Sequence, residues 1–383
     1  MLRILTLTTL FPNPVQPALG NNVWRQLERV SALPDIEMTV IAPVPRFPLP
    51  GPGMPYADMR RIPDQREAGG MSIYHPRFVT VPATGWRTAG AAIAAAAVPL
   101  AKSLHRGNPF DLIAGEFFFP DAEAVLQAAK SLHVPHIMKA RGSDIRFWSK
   151  KRTPRRQMVG AGRHAAAILA VSRALREDLI SMGLARERID VHYTGIDLEA
   201  FTARAGARRD PHLLISVGNL VPLKRHHLQI EALAHLPAYR LEIVGDGPER
   251  SALERLAKKK GVADRVSFLG RIAHAELPSR LAAAGALLHT SSSEGLANVW
   301  VEALACGTPV VTTRVGGAAE LVDDRTGRLL PVSTSPFGVA KAVEEVAALV
   351  PGGAPFQKAA APFSWERNLA QLQDIYARIV NPR

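Results

Sequence analysis

The sequence predicts an α/β protein of two doubly wound domains, each built on a parallel sheet. Three observations carry that expectation. The chain has 383 residues, too many for one ordinary hydrophobic core and suited to two. Short apolar runs alternate with amphipathic segments, the rhythm of βαβ units. That rhythm breaks and restarts near residue 212, as two sheets in series require.

In the first half, RILTLTTLF reads as a buried strand and is followed by a Pro/Gly/Asn loop over residues 12–22. NNVWRQLERVSAL then sets Val23, Leu27, Val30 and Leu33 at helical spacing. MTVIAP is a second strand, and residues 44–70, broken by Pro, Gly and Arg, read as a long loop. DLIAGEFFF and PHIMKA are strands around a helix at residues 121–131, and AAILAVS and RIDVHYTGID close this half. The second half is cleaner. HLLISVG, RLEIVG, RVSFLG, GALLHTS and TPVVTT are strands, with helices at HHLQIEALAHL, PERSALERLAKKKG, residues 277–284 and residues 299–305. The linker falls in FTARAGARRDPH, residues 201–212, which is polar and weakly patterned. In open α/β sheets ligands bind beyond the carboxyl ends of strands, so two such domains point to a site in a cleft between them.

Apolar residues make up 47% of the chain and mean hydropathy is near zero, which excludes a disordered or membrane-spanning protein. A single cysteine, Cys306, excludes an intramolecular disulfide framework and reads as a buried structural thiol. The 12 histidines show no H-x-x-x-H spacing, so no metal is expected. The start, MLRILTLTTLFP, lacks the features of a secretory signal, and the apolar run at residues 89–101 is interrupted by Pro99 and too short for a span, so the expected location is cytoplasmic. Net charge is +13 and uneven: residues 1–195 hold 25 Lys+Arg against 15 Asp+Glu, and residues 196–383 hold 22 against 19. Such a bias suits an anionic partner: nucleic acid, an acidic membrane or a phosphorylated substrate.

Three glycine-bearing loops follow predicted strands: PALGNN with Gly20, SVGNLVPLKRHH with Gly218, and IVGDGPE with Gly245. A glycine at a helix start lets a phosphate approach the backbone, although any strand–helix connection can need one. The second loop lacks G-x-x-x-x-G-K-[ST] spacing and is no triphosphate P-loop. The most informative stretch is SSSEGLANVWVEALACGTPVV, with Glu294 and Glu302 eight residues apart. Gly295 puts Glu294 in a loop, Asn298 reads as an N-cap, and the backbone N–H groups of residues 296–299 form an anion site. A carboxylate in an apolar helix is costly to bury alone, so Glu302 is expected to meet hydroxyls or a cation, paired ribose hydroxyls being ideal. The bland alternative is a capping and dipole role at a solvated edge.

EGLANVWVEALACGTPVV resembles the E-x7-E signature of retaining GT-B glycosyltransferases of family 4. SVGNLVPLKRHHLQIEAL, LEIVGDGPERSALERLA, RVSFLGRI, VGGAAELV and FSWERNLAQLQDIY resemble further blocks of that family, in its order, as do VSRALREDLISMGLARERIDVHYTGIDLEAF and the GSD of KARGSDI. The resemblance implies a GT-B fold, two Rossmann-like domains facing a central cleft: residues 1–200 bind acceptor, 201–362 bind nucleotide-sugar, and a helix in 363–383 crosses back to the first domain. It implies retaining, metal-independent hexosyl transfer from a nucleotide-sugar to a polyprenyl-linked or glycan acceptor in cell-envelope or exopolysaccharide synthesis. By the same resemblance Glu302 holds the donor ribose and Glu294 the hydroxyls of the transferred sugar. Lys224 with Arg225 neutralises the leaving diphosphate, and the amides of Leu296, Ala297 and Asn298 hold its distal phosphate. Gly20, Gly218 and Gly245 allow close approach to the donor, and Arg271 and Ile272 flank the base.

This chain departs from the family pattern at three points. Asn219 stands where arginine is common, and Arg225, in a place often held by glycine, replaces that charge. Arg141 of RGSD stands where many relatives carry histidine; it cannot act as a base and is assigned to a donor or acceptor phosphate. Thr194–Gly195 replaces the family's Asn-Gly. No protein base is required if the departing phosphate oxygen takes the acceptor proton in a front-side attack.

RGSDIRFWSKKRTPRRQMVG, residues 141–160, carries seven Arg and Lys around Phe147 and Trp148. It reads either as a solvated basic loop or as a patch for anionic lipid, running from Arg141 to Arg156, with Asp144 and Trp148 near an acceptor. No nucleic-acid-binding module accompanies the charge, and none is expected. Two alternatives stay open: a GT-B 2-epimerase or phosphorylase, for which the first domain offers no clear carboxylate–histidine set, and a non-catalytic polyanion binder.

Overall fold

The computed structural model describes residues 1–49, 51, 53–202 and 208–381, and the middle of the expected linker lies outside them. The chain divides into two compact units, Met1–Thr194 with Asn368–Arg383, and Gly195–Arg367. Among the described residues, the first unit holds β1 (Leu2–Leu7), β2 (Ile36–Ile41), β3 (Val44–Arg46), β4 (Gln65–Ala68), β5 (Met71–Tyr74), β6 (Arg77–Val79), β7 (Leu112–Gly115), β8 (His136–Ala140), β9 (Ala167–Ala170) and β10 (Ile189–Val191). Eight of these form one sheet in the order β10-β9-β8-β7-β1-β2-β5-β4, parallel except for β4 on β5; β3 and β6 pair separately. The second unit holds β11 (Asp210–Val217), β12 (Arg240–Val244), β13 (Val266–Gly270), β14 (Ala284–His289), β15 (Val310–Thr313) and β16 (Gly327–Leu330). They form one parallel sheet in the order β13-β12-β11-β14-β15-β16. These are two doubly wound Rossmann-like domains, as expected from the sequence.

Strand order fixes where each unit can bind. In the first, the chain runs outward one way from β1 and then back the other way from β7; in the second it does so from β11 and β14. Ligand crevices open at such switch points, beyond the strand ends. The strands there are apolar because helices cover both faces: Ile4, Leu112, Ile137 and Leu169 join one core, and Leu214, Ile243, Leu288 and Val311 the other. Each such side chain, fully buried, contributes roughly 1.5–3 kcal/mol.

Several local expectations are corrected. Residues 44–70 are not one loop: they contain β3, a 3-10 turn at Ala57–Arg61 and β4. β4, QREA, is an edge strand without apolar alternation, which is why periodicity misses it. The expectation for the apolar run at residues 89–101 needs no correction: it opens a helix, Ala89–Gly107, and among the described residues no helix is long and apolar enough to cross a membrane. The basic segment is not a loop. It folds as short helical turns at Ser143–Arg146 and Trp148–Lys150 followed by a helix, Arg152–His164. The last helix, Trp365–Val380, gives Leu372, Ile375 and Tyr376 to the first core. Its Trp365 ring occupies the space a Cβ on Gly195 would need, which explains the glycine of Thr194–Gly195.

Candidate active site

In the second unit the loops after β11 and β12 clasp each other. Gly218 N–H donates to the Val244 carbonyl and Gly245 N–H to that of Gly270, both just under 3 Å. A side chain on Gly245 would collide with the Gly218 carbonyl oxygen, so the glycine is required by backbone contact. Beyond Gly218 the chain makes a 3-10 turn, Pro222–Lys224, and Arg225 follows at φ +53°. That left-handed conformation is one a glycine adopts without strain. The turn aims Lys224 at the loop after β14, where its Nζ meets Glu294 Oε1 at 2.5 Å. Both side chains are largely buried, 19% and 13% exposed. Glu294 is fixed in turn because Gly317 N–H donates to the Gly295 carbonyl and a Cβ on Gly316 would strike the Glu294 carbonyl oxygen.

Glu302 lies in the helix Asn298–Ala305, its side chain 7% exposed, and accepts from His274 Nε2 at 3.3 Å. The expected N-cap is corrected. Ala297 occupies that position in an extended conformation, Asn298 is already helical, and no side chain caps the helix. Leu296 and Ala297 lead into the helix, and Asn298 is its first residue. Asn219 turns its carbonyl to His226 Nε2 at 3.3 Å. The Arg225 guanidinium does not join Lys224; it donates to the Val332 carbonyl at 2.6 Å. Arg271 is exposed and Ile272 half-buried, just ahead of the turn that carries His274.

Sequence reasoning missed the histidines of this site. His289 ends β14, 3% exposed, with Nε2 3.4 Å from Lys224 Nζ and 3.5 Å from Glu294 Oε1. Burial, then the charges of Lys224 and His226, hold its imidazole well below the ordinary histidine pKa. The available signal was a histidine closing the apolar strand GALLH, five residues before Glu294. Cys306 is buried, and its thiol is pushed up to about 12 by burial, as an inert structural cysteine should be.

The first unit has its own polar cluster at its switch point. Glu116 follows β7 and Arg141 follows β8; the Arg141 guanidinium pairs with the Glu116 carboxylate, and its Nε donates to the Glu116 carbonyl at 2.9 Å. Gln26 donates to the other carboxylate oxygen, and Lys139 Nζ donates to Gln26 at 2.5 Å and to His192 Nδ1 at 2.9 Å. His192 Nε2 faces the Asn368 carbonyl at 3.0 Å, so Nε2 carries the proton. Burial, with the charge of Arg141 second, pulls the Lys139 ammonium down to about 7. Asp144 is fully buried and accepts from the amides of Phe118, Gly142, Arg141 and Ile145; it shapes the turn that carries Arg141 and does not face solvent. Asp121, pushed up to about 7 by burial, is bonded to Thr9. The first unit thus brings carboxylates and histidines together at this point. Their polar atoms, however, are spent on backbone and neighbouring side chains.

Gly20 adopts φ +67° at the head of the helix Asn21–Ser31, and a Cβ there would overlap the Leu10 carbonyl. Trp148 stacks in an aromatic cluster, 4.6 Å from Phe119, 5.0 Å from Phe147 and 6.0 Å from Trp86. Lys151 Nζ stands 4.3 Å from the Trp86 ring centre.

Comparison with known proteins gives this geometry a family. The "Glycosyltransferase Family 4" profile matches residues 34–200, and "Glycosyl transferases group 1" matches residues 199–349. A D-inositol 3-phosphate glycosyltransferase of Mycobacteroides abscessus is 40% identical over 212 residues, 50% of this chain and 47% of that protein. The match thus spans about half the length of that relative. An uncharacterized glycosyltransferase of Methanocaldococcus jannaschii, MJ1178, is 26% identical over 74% of this chain and 80% of its own. In fold, the chain resembles Anabaena Alr3699/HepE in complex with UDP and glucose (TM-score 0.70, 21% identity, 98% and 99% covered). It also resembles sucrose-phosphate synthase from Thermosynechococcus elongatus (TM-score 0.76, 20% identity, 98% of each chain). With the two profiles adjoining across residues 34–349, the chain belongs to the GT-B glycosyltransferases of family 4.

Proposed function

We propose that the protein is a retaining glycosyltransferase that moves a hexose from a nucleoside-diphosphate sugar to a polyprenyl-linked or glycan acceptor in cell-envelope or exopolysaccharide synthesis. The observation that carries this reading is the pairing of Lys224 with Glu294 at one switch point, with Glu302 buried nearby in chain. Glu302 accepts hydrogen bonds from the donor ribose, exchanging His274 for its hydroxyls. Glu294 accepts from hydroxyls of the transferred sugar. Lys224 and the amides at Leu296, Ala297 and Asn298 meet the diphosphate as it leaves, which is charge stabilisation where charge develops. The bond from the anomeric carbon to the phosphate oxygen breaks, the acceptor oxygen bonds to that carbon on the same face, and the acceptor proton goes to the departing phosphate oxygen. Cationic side chains and amides then do the work of a divalent ion, so no metal is required. Arg141 and Gly20 are the first unit's candidates for a phosphate. HepE's complex with UDP and glucose makes UDP-sugars the first donors to try. The test is nucleoside-diphosphate release from UDP-, GDP- and ADP-sugars with membrane extract as acceptor source. One donor should turn over, unaffected by EDTA; failure with every donor overturns the reading.

A second element of the reading is an anionic membrane as partner. The aromatic cluster of Trp86, Phe147 and Trp148 is overlaid by Lys151 and followed by exposed Lys150, Arg152, Arg155 and Arg156. Interfacial aromatics beside cations suit the headgroup region at the inner face of the cytoplasmic membrane. Sedimentation with phosphatidylglycerol vesicles, weakened by salt and by Lys151→Glu, is the expected result. Equal binding to neutral vesicles would count against it.

A further inference from the structure

We infer that His289 is a positioning residue for Lys224, the second acceptor that holds the ammonium when Glu294 turns to the transferred sugar. The inference rests on the donor-binding reading of this site. Three groups form a triangle: Lys224 Nζ to Glu294 Oε1 at 2.5 Å, Lys224 Nζ to His289 Nε2 at 3.4 Å, and His289 Nε2 to Glu294 Oε1 at 3.5 Å. A carboxylate held that closely by an ammonium has less to offer a sugar hydroxyl, so the pair must loosen for Glu294 to engage substrate. A largely buried ammonium that loses its carboxylate needs another acceptor. A neutral imidazole nitrogen at 3.4 Å provides one without adding charge next to the diphosphate.

The surroundings fit that duty. The ring is held edge-on against Trp300, centres 5.3 Å apart at 83°, and the His289 carbonyl accepts from Thr312 Oγ1 at 2.7 Å. The imidazole therefore has a fixed position, with Nε2 at the ion pair. Its other nitrogen, Nδ1, is buried with no hydrogen-bond partner among the described residues. No second bond fixes the tautomer, in contrast to His192, where the Asn368 carbonyl does. Nε2 can thus carry a proton toward Glu294 in the closed pair, or a lone pair toward Lys224 once the pair opens.

The test uses His289→Leu, His289→Asn and His289→Gln in the full-length protein. Glutamine puts a polar atom near the position of Nε2, asparagine near Nδ1, and leucine fills the volume with none. With an active donor, leucine and asparagine should lower kcat by about tenfold with donor KM nearly unchanged, the pattern of an interaction used in the transition state, while glutamine recovers most of the rate. A purely structural histidine would give rates that follow thermal stability, with leucine the best tolerated. Wild-type kcat in His289→Leu, or glutamine no better than asparagine, overturns the inference. If the wild type turns over no donor, the transferase reading fails first, and UDP, GDP and ADP affinities are measured on the same variants. Weaker binding in leucine and asparagine with recovery in glutamine still supports the positioning role; equal affinities end it.

Discussion

The two units carry the same chemistry at the same topological place and use it differently. Each has a cation–carboxylate pair beyond the strands where its chain direction reverses, with a neutral histidine within reach: Arg141–Glu116 with Lys139 and His192, and Lys224–Glu294 with His289. In the first, the carboxylate is committed on both oxygens. A planar guanidinium takes both the backbone and the side chain of Glu116, and the remaining carboxylate oxygen is met by Gln26. In the second, a flexible ammonium makes a single contact to the carboxylate and has an alternative at His289. Arginine's rigid fork suits a permanent link, whereas lysine's compact charge on a long stem can move. A fixed pair holds a unit's architecture, and an exchangeable pair can take a ligand.

That contrast breaks first under substitution. Lys224→Ala should lower nucleoside-diphosphate release by about 10²–10³-fold, the usual loss when a donor to developing charge is removed, with a smaller cost in stability because its pair keeps some exposure. Glu302→Ala should weaken donor binding through the lost ribose acceptor. Glu116→Ala should act on stability instead. It leaves Arg141 buried without its carboxylate, an uncompensated charge that costs about 3–5 kcal/mol in thermal or urea unfolding. If Lys224→Ala unfolds the protein and Glu116→Ala does not, the assignment of the two pairs is inverted.

The sequence carried more of the second unit than of the first. Glu294 and Glu302 are legible because a loop glycine, a helix and a Gly-Thr-Pro break frame them within one short stretch, and Lys224 because its glycine loop precedes a clean helix. Arg141 is legible as a charge, but its partner Glu116 stands 25 residues away, and their meeting depends on β7 and β8 pairing. Lys139 and His192 read as ordinary strand-end residues until the sheet brings them together. The same limit hid His289 and β4: one is a polar residue ending an apolar run, the other an edge strand without a buried face.

Lys139 sharpens the comparison through pH. Its folded pKa, lowered to about 7 from an ordinary 10.5, lies below the unfolded value. The unfolded chain therefore binds more protons between about 7 and 10.5, and the residue's contribution is full above 10.5 and lost as pH falls through 7. Lys139→Met, which cannot titrate, should gain on the wild type as pH drops from 9 to 6, by about 3 kcal/mol in urea unfolding. A constant difference across that range would show that Lys139 stays charged in the folded protein.

The smallest effect separates the two cations of the donor loop. Arg225 holds φ +53° and donates to the Val332 carbonyl, while Lys224 beside it reaches Glu294. A side chain in the left-handed region costs about 1 kcal/mol that glycine avoids, although glycine gives up some of that through the freedom it gains in the unfolded chain. Arg225→Gly also loses one partly exposed hydrogen bond, so the net change in melting temperature should be within a degree or two of zero. Its effect on diphosphate affinity carries the information. If Arg225 replaces the charge missing at Asn219, affinity for the nucleoside diphosphate falls several-fold while the stability barely moves, and the guanidinium must swing away from Val332 to do so. If affinity is unchanged, the arginine is a strap between two loops, and Lys224 with the helix amides meets the diphosphate alone.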